Sequence, residues 1–212
     1  MKLRPPAIPL ANVDPYFSLW SVTNELNDST VCHWTGSPNT LIGIVTVDKK
    51  EYCFMGNAGE LGIPKIKQTA FDFDALSTYY SFENDEIELE VIFTSPLALD
   101  DPKIYSTPIT YVNIRYYSAN GDDHDVSVSI SASEELCLDK AGQSPVVTEK
   151  VDIEGLTAIC IGNSVQKPLN RSGDDLRIDW GKFYLAAAGK HTADVWQLPA
   201  KDNKPGMTMI RV

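Results

Sequence analysis

Glu86-Ile87-Glu88-Leu89-Glu90-Val91-Ile92-Phe93 is the stretch that decides the fold class. Ile87, Leu89, Val91 and Phe93 fall on one side of an extended chain and Glu86, Glu88 and Glu90 on the other, which is the period of a half-buried strand. Wound as a helix, the same residues would spread both sets around the surface. Asp125-Val126-Ser127-Val128-Ser129-Ile130-Ser131 repeats the pattern with β-branched residues inward and serines outward. Between it and Tyr111 to Tyr117 lies Asn120-Gly121-Asp122-Asp123, a turn signal that predicts a hairpin. Two more hairpins are predicted, Leu41 to Val47 with Glu51 to Met55 around Asp48-Lys49-Lys50, and Val147 to Ile153 with Leu156 to Ile161 around Glu154-Gly155. Ile66 to Phe73, Thr78 to Phe82, Leu176 to Ala187 and Thr192 to Leu198 read as further strands.

About ten or eleven strands without intervening amphipathic helices predict an all-β fold, an antiparallel two-sheet β-sandwich of the supersandwich type. Pro96 to Pro108 and Pro199 to Pro205 read as connections, and neither marks a domain boundary, so residues 1–212 are expected to form one domain. No internal repeat points to a propeller.

Of the 212 residues 43% are hydrophobic and 22% charged, which excludes disorder as the main state. The 13 Gly and 13 Pro, without period, exclude collagen. The formal net charge of −11 makes nucleic acid and anionic membrane poor partners. No apolar run approaches the roughly 18 residues of a membrane helix, so a soluble chain is expected. The apolar stretch at the start is broken by Pro5, Pro6 and Pro9, which a signal peptide would not tolerate. A cytoplasmic location is therefore expected, or secretion if a leader has been removed. Cys32, Cys53, Cys137 and Cys160 show no C-x-x-C spacing and read as buried free thiols rather than disulfides or metal ligands.

Candidate chemistry is thin. Ser164-Val165-Gln166-Lys167 matches the S-x-x-K nucleophile pattern, but Pro168 biases Lys167 away from helical angles. Asp122, Asp123, His124 and Asp125 carry competent cation ligands, yet they are also what a solvated turn contains. Glu86, Glu88 and Glu90 lie along one strand face, whereas a glycosidase pair must flank a bond. His33 and His191 have no serine or cysteine placed beside them in a recognisable nucleophile elbow. Trp20, Trp34, Trp180 and Trp196 would serve either core packing or a sugar-stacking platform. No catalytic residue, cofactor or metal is expected in this chain.

Two stretches go beyond generic patterning. Arg4-Pro5-Pro6-Ala7-Ile8-Pro9-Leu10, Asp14-Pro15-Tyr16-Phe17-Ser18-Leu19-Trp20 and His33-Trp34-Thr35-Gly36 resemble the opening of the glutaminase A family. Ser172-Gly173-Asp174-Asp175-Leu176-Arg177-Ile178-Asp179-Trp180-Gly181 resembles its second signature, with Lys167-Pro168-Leu169 upstream. The resemblance implies an N-terminal β-sandwich region that precedes a larger helical barrel carrying the catalytic groups. It further implies a parent hydrolysing the L-glutamine side-chain amide to L-glutamate and ammonia, with this chain as a non-catalytic accessory domain docked on the barrel. The alternative is a carbohydrate-binding sandwich of a glycoside-hydrolase-like protein. Within the second signature, Ile178 and Trp180 are expected on one strand face, with Arg177 and Asp179 on the other and Arg177 ion-paired. Self-association is expected through the C-terminal segment, Met207 to Val212, or through an open sheet edge.

Overall fold

The computed structural model describes residues 4–188, 194–198 and 205–212. Among these the chain forms fourteen strands, two one-turn α-helices and a 3-10 helix. Two large antiparallel sheets pack face to face, as the alternation predicts. The first has four strands in chain order: β5 (Lys67–Phe73), β6 (Ser77–Glu83), β7 (Ile87–Thr94) and β8 (Tyr111–Ser118). The second has five, in the order β13 (Asp194–Leu198), β14 (Met207–Arg211), β9 (Val126–Ser133), β3 (Leu41–Val47) and β4 (Lys50–Met55). The deciding stretch is β7, and Ile87, Leu89, Val91 and Phe93 are all buried. They share one apolar cluster with Val45, Val47 and Phe54 of the opposite sheet, and the Phe54 and Phe82 rings meet across the interface at 6.1 Å between centroids.

Two smaller sheets flank this sandwich. β1 (Ile8–Asp14) and β2 (Phe17–Ser21) form a ribbon that contributes Leu10 and Leu19 to the main core. β10 (Val146–Ile153), β11 (Leu156–Asn163) and β12 (Lys182–Ala188) form a three-stranded sheet. Beneath it Ile161 packs with Cys137 and Leu138 in a second, small cluster. All four cysteines are free and buried. Burial holds the thiols of Cys53 and Cys137 protonated, pushing them up to about 11 and about 12.

Three expectations are corrected. Tyr111–Ser118 and Val126–Ser133 do not form a hairpin, because β8 pairs with β7 while β9 pairs with β3 and β14. Asn120-Gly121 does turn the chain, with Gly121 at φ +85°. A turn signal specifies a change of direction but not the next neighbour, and here the chain crosses the roughly 10 Å between sheets. Leu176 to Gly181 is irregular, and the strand begins only at Lys182. The side chains of that stretch are held by other loops rather than by a ladder. The C-terminal segment is not an open edge: β14 lies between β13 and β9, with Thr208 and Ile210 buried.

Gly43 shows how tightly the main core is closed. A Cβ built there would lie 2.3 Å from the Phe54 ring, so the ring occupies the space over the glycine. The turn between β3 and β4 is a two-residue one in which Asp48 and Lys49 both take positive φ, 49° and 72°. His124 holds it there: its Nδ1 meets the Asp48 carboxylate at 2.7 Å and its Nε2 meets Asn120 Oδ1 at 3.0 Å. The Asp122 to Asp125 run is thus a turn clamp built around His124.

Candidate functional site

The two signature stretches, far apart in sequence, converge on one polar cluster. At its base Asp14 caps the β1–β2 turn, its Oδ1 accepting the N–H groups of Tyr16 (2.8 Å) and Phe17 (3.0 Å). The turn leaves the Pro15 carbonyl pointing at the 33–36 loop, where it accepts His33 Nε2–H at 3.0 Å and Trp34 Nε1–H at 2.8 Å. His33 Nδ1 takes the Thr35 hydroxyl at 2.9 Å, and Gly36, at φ +89°, lets the loop reverse. With both ring nitrogens engaged and the side chain fully buried, His33 is a neutral clamp, and burial lowers its pKa. It has no free nitrogen to act as a general base.

The second signature lies across this loop. Ile178 N–H donates to the Tyr16 carbonyl at 2.9 Å, the Trp180 ring meets Tyr16 edge-on at 5.4 Å, and Arg177 Nη1 donates to the Pro38 carbonyl at 3.0 Å. Arg177 is therefore spent on backbone, and the expected ion pair belongs to Arg171 instead. Arg171 Nη1 meets Asp139 Oδ2 at 2.5 Å and its Nη2 lies 3.7 Å from Asp179 Oδ2. Asp139, just beyond the 3-10 helix Glu134–Cys137, also accepts the Arg177 N–H at 3.1 Å. Asp179 accepts Gln143 Nε2 at 2.7 Å on its carboxylate and Asn163 Nδ2 at 2.9 Å on its carbonyl. Sequence reading missed Asp139, Gln143, Asn163 and Arg171, since lone polar residues at element ends carry no spacing signal.

The remaining signature residues have structural places. Arg4 donates to the carbonyls of Thr23 and Asn24 and lies 4.5 Å over the Phe71 ring, anchoring the Pro5-Pro6 segment. Trp20 is half-buried and its backbone bonds Cys32 in both directions. Gly173 and Asp174 lie in the exposed arm of the loop, and Gly181 donates its N–H to Gln166 Oε1 at 2.6 Å. Residues 164–167 form no helical turn, so Ser164 and Lys167 are not presented as an S-x-x-K pair. Among the described residues no group of three His, Cys, Asp or Glu is placed to hold a metal ion. His191 and the Trp196 side chain lie outside what is described. An open groove of about 440 Å³ lined by Lys49, Tyr52 and Ile63 includes none of the signature residues.

What remains exposed at the cluster is Trp34, 55% accessible, with Leu169 (67%) and Val165 (44%) on the loop leading to the second signature. Residues 76–208 match the family described as "Domain of unknown function (DUF5127)". The chain belongs to this family. Residues 1–66 match a second one, "Domain of unknown function (DUF4964)". The cluster is therefore a seam: Asp14, Pro15, His33 and Pro38 come from one matched stretch, and Asp139, Asn163, Arg177 and Asp179 from the other. The main core is shared in the same way, with Leu10 to Ile66 on one side and Tyr80 to Leu136 on the other. The chain is also similar to Glutaminase A of Aspergillus oryzae, 31% identical over 191 residues, covering 86% of this chain and 27% of that protein. It matches an N-terminal part of that glutaminase.

Proposed function

We propose that residues 1–212 of this DUF5127 protein act as the non-catalytic N-terminal accessory domain of a glutaminase-like amidohydrolase. The parent would hydrolyse L-glutamine with water to L-glutamate and ammonia, on a helical-barrel catalytic domain outside this chain. The domain would dock on that barrel and support it, with the face carrying Trp34 as the contact. One observation carries this reading: the titratable signature side chains at the seam, His33, Arg177 and Asp179, are each already engaged by backbone or by a neighbouring side chain. His33 grips Pro15, Arg177 grips Pro38 and Asp179 is held by Gln143. A catalytic constellation needs a nucleophile within reach of a free base, and the cluster offers none. An indole left half in water beside a rigid loop is instead the kind of anchor that contributes most at protein interfaces.

The carbohydrate-binding alternative needs a row of exposed rings. Trp20 and Trp180 are half-buried and Trp34 is exposed, so the described tryptophans do not form one. The four buried thiols fit a reducing compartment, consistent with a cytoplasmic parent.

Three measurements test the proposal. The purified chain is expected to leave L-glutamine untouched. In the full-length parent, Trp34→Ala is expected to weaken domain docking, seen as separate melting transitions, while Asp179→Asn lowers the melting temperature of the N-terminal domain. Loss of turnover in Asp179→Asn with melting unchanged would move the second signature into the active site and overturn the reading.

A further inference from the structure

The outer edge of the four-stranded sheet is unprotected. β5, its opposite edge, has a register shift between Gln68 and Ala70 and carries Lys67 and Asp72. In the other sheets, β4 is bridged at Cys53 to Lys65, and β10 carries Glu149 and Lys150. These are the devices by which edges resist pairing. β8 lacks them: it is eight residues long, pairs with β7 without a register shift, contains no proline and has one charge, Arg115. Both of its faces are exposed. Tyr111 and Tyr117 point outward at 53% and 52% accessibility. Val112 and Tyr116, opposite Phe93 and Leu89, point to the core side yet remain 38% and 50% accessible.

The direction of the edge groups follows from the ladder. Ala119 N–H donates to the Glu86 carbonyl, so by antiparallel alternation residues 111, 113, 115 and 117 bond toward β7. Residues 112, 114 and 116 then turn their N–H and C=O groups outward. Among the described residues no strand or bridge takes them up.

We propose that this edge pairs with its own copy, β8 to β8, antiparallel about a two-fold axis at Ile114, joining two four-stranded sheets into one of eight. The sequence of β8 is self-complementary in that register. Ile114 faces Ile114 of the second copy, Val112 faces Tyr116, and Tyr111 faces Tyr117, so all four exposed apolar side chains gain a partner. The outward groups of residues 112, 114 and 116 meet those of 116, 114 and 112. Arg115 faces Asn113 of the second copy and keeps Glu90 of β7 as its neighbour within the chain. A shift by one residue in each copy would also satisfy the backbone, but toward the C-terminus it would put Arg115 opposite Arg115, and toward the N-terminus it would centre on Asn113 and leave Tyr116 and Tyr117 without a β8 residue opposite them. Like charge on one side and lost strand overlap on the other therefore select the Ile114 register.

Sedimentation velocity of the 212-residue chain across a concentration series tests the association, and two sets of variants test the edge and the register. Tyr116→Pro removes an N–H that β7 does not use, so the fold is expected to survive while dimerisation weakens about tenfold or more. Tyr111→Cys and Tyr117→Cys, oxidised separately, are expected to form no disulfide-linked dimer; mixed, they are expected to give a disulfide heterodimer, because the two positions lie directly opposite in a non-hydrogen-bonded pair. If Tyr116→Pro does not fold, the cysteine mixture decides alone. A chain that stays monomeric at every concentration, a dimer indifferent to Tyr116→Pro in folded protein, or a mixture that gives no heterodimer would each overturn the proposal.

Discussion

Replacing Asp139 with alanine should cost the fold far more than replacing its ion-pair partner. The Asp139 side chain is 5% exposed and its carboxylate receives two donors, Arg171 Nη1 at 2.5 Å and the Arg177 N–H at 3.1 Å. A hydrogen bond to a charged group contributes about 1.5–3 kcal/mol net, and an unsatisfied buried group costs a similar amount. The Arg171 side chain is 41% exposed, so its released guanidinium returns to water and its share is about 1 kcal/mol or less. The Arg177 N–H, part-buried at the seam, loses its acceptor and accounts for the remainder. Asp139→Ala should therefore lose about 2–4 kcal/mol, and Arg171→Ala less than about 1 kcal/mol. Asp139→Asn, which still offers an acceptor to Arg177, should fall between them. At this chain length each kcal/mol corresponds to about 2–4 °C, so the melting point of Asp139→Ala should drop by roughly 4–16 °C. Calorimetry of the three variants provides the assay. A loss below about 0.5 kcal/mol for Asp139→Ala, or equal losses for Asp139→Ala and Arg171→Ala, would refute the claim that the carboxylate holds the seam through the Arg177 backbone.

Gly43→Ala should destabilise by about 1–3 kcal/mol or more, since the added methyl meets a Phe54 ring enclosed on all sides; denaturant titration reads this, and a neutral result would mean that the core is looser than described. Burial lowers the His33 pKa below that of the unfolded chain, so the unfolded state takes up a proton first. Stability is then full above about pH 6.5 and declines as the pH falls below it, and His33→Gln should flatten the decline in a pH series of melting points. Asp48 runs the same way at lower pH: hydrogen bonds from His124 and the Asp125 N–H hold its carboxyl below its ordinary value, so its contribution is present above about pH 3.9 and lost on further acidification. Asp48→Asn should remove that part of the acid transition.

The alternating strands were legible because a half-buried sheet writes its period directly into the sequence. β7 is the plainest case, with four buried apolar residues separated by polar ones or by half-exposed Ile92. β1, β2 and β14 went unread. β1 contains Pro9 and has register shifts against β2, which blur the alternation. β14 is short and rich in methionine, and its partners lie at the ends of long connections. The seam was legible only as quoted motifs, not as a site. Arg177 looks like an ion-pair residue in sequence, but the Pro38 carbonyl that takes its guanidinium is 139 positions away, and no local spacing encodes that meeting.

The placement of β14 bears on the order in which the chain can fold as it leaves the ribosome. β5 to β8 pair in simple succession across residues 67–118, and such local pairing needs only small loops to close. The five-stranded sheet is assembled from residues 41–55, 126–133 and 207–211, with β13 attached solely through β14. The meander can therefore form early in synthesis, its apolar face meeting the β3–β4 hairpin that is already made. β13, although made before β14, has no seat until residue 211 has cleared the exit tunnel. During that interval the nascent chain carries the unpaired side of β9 and the bare β8 edge together, the period in which a chaperone would have most to hold.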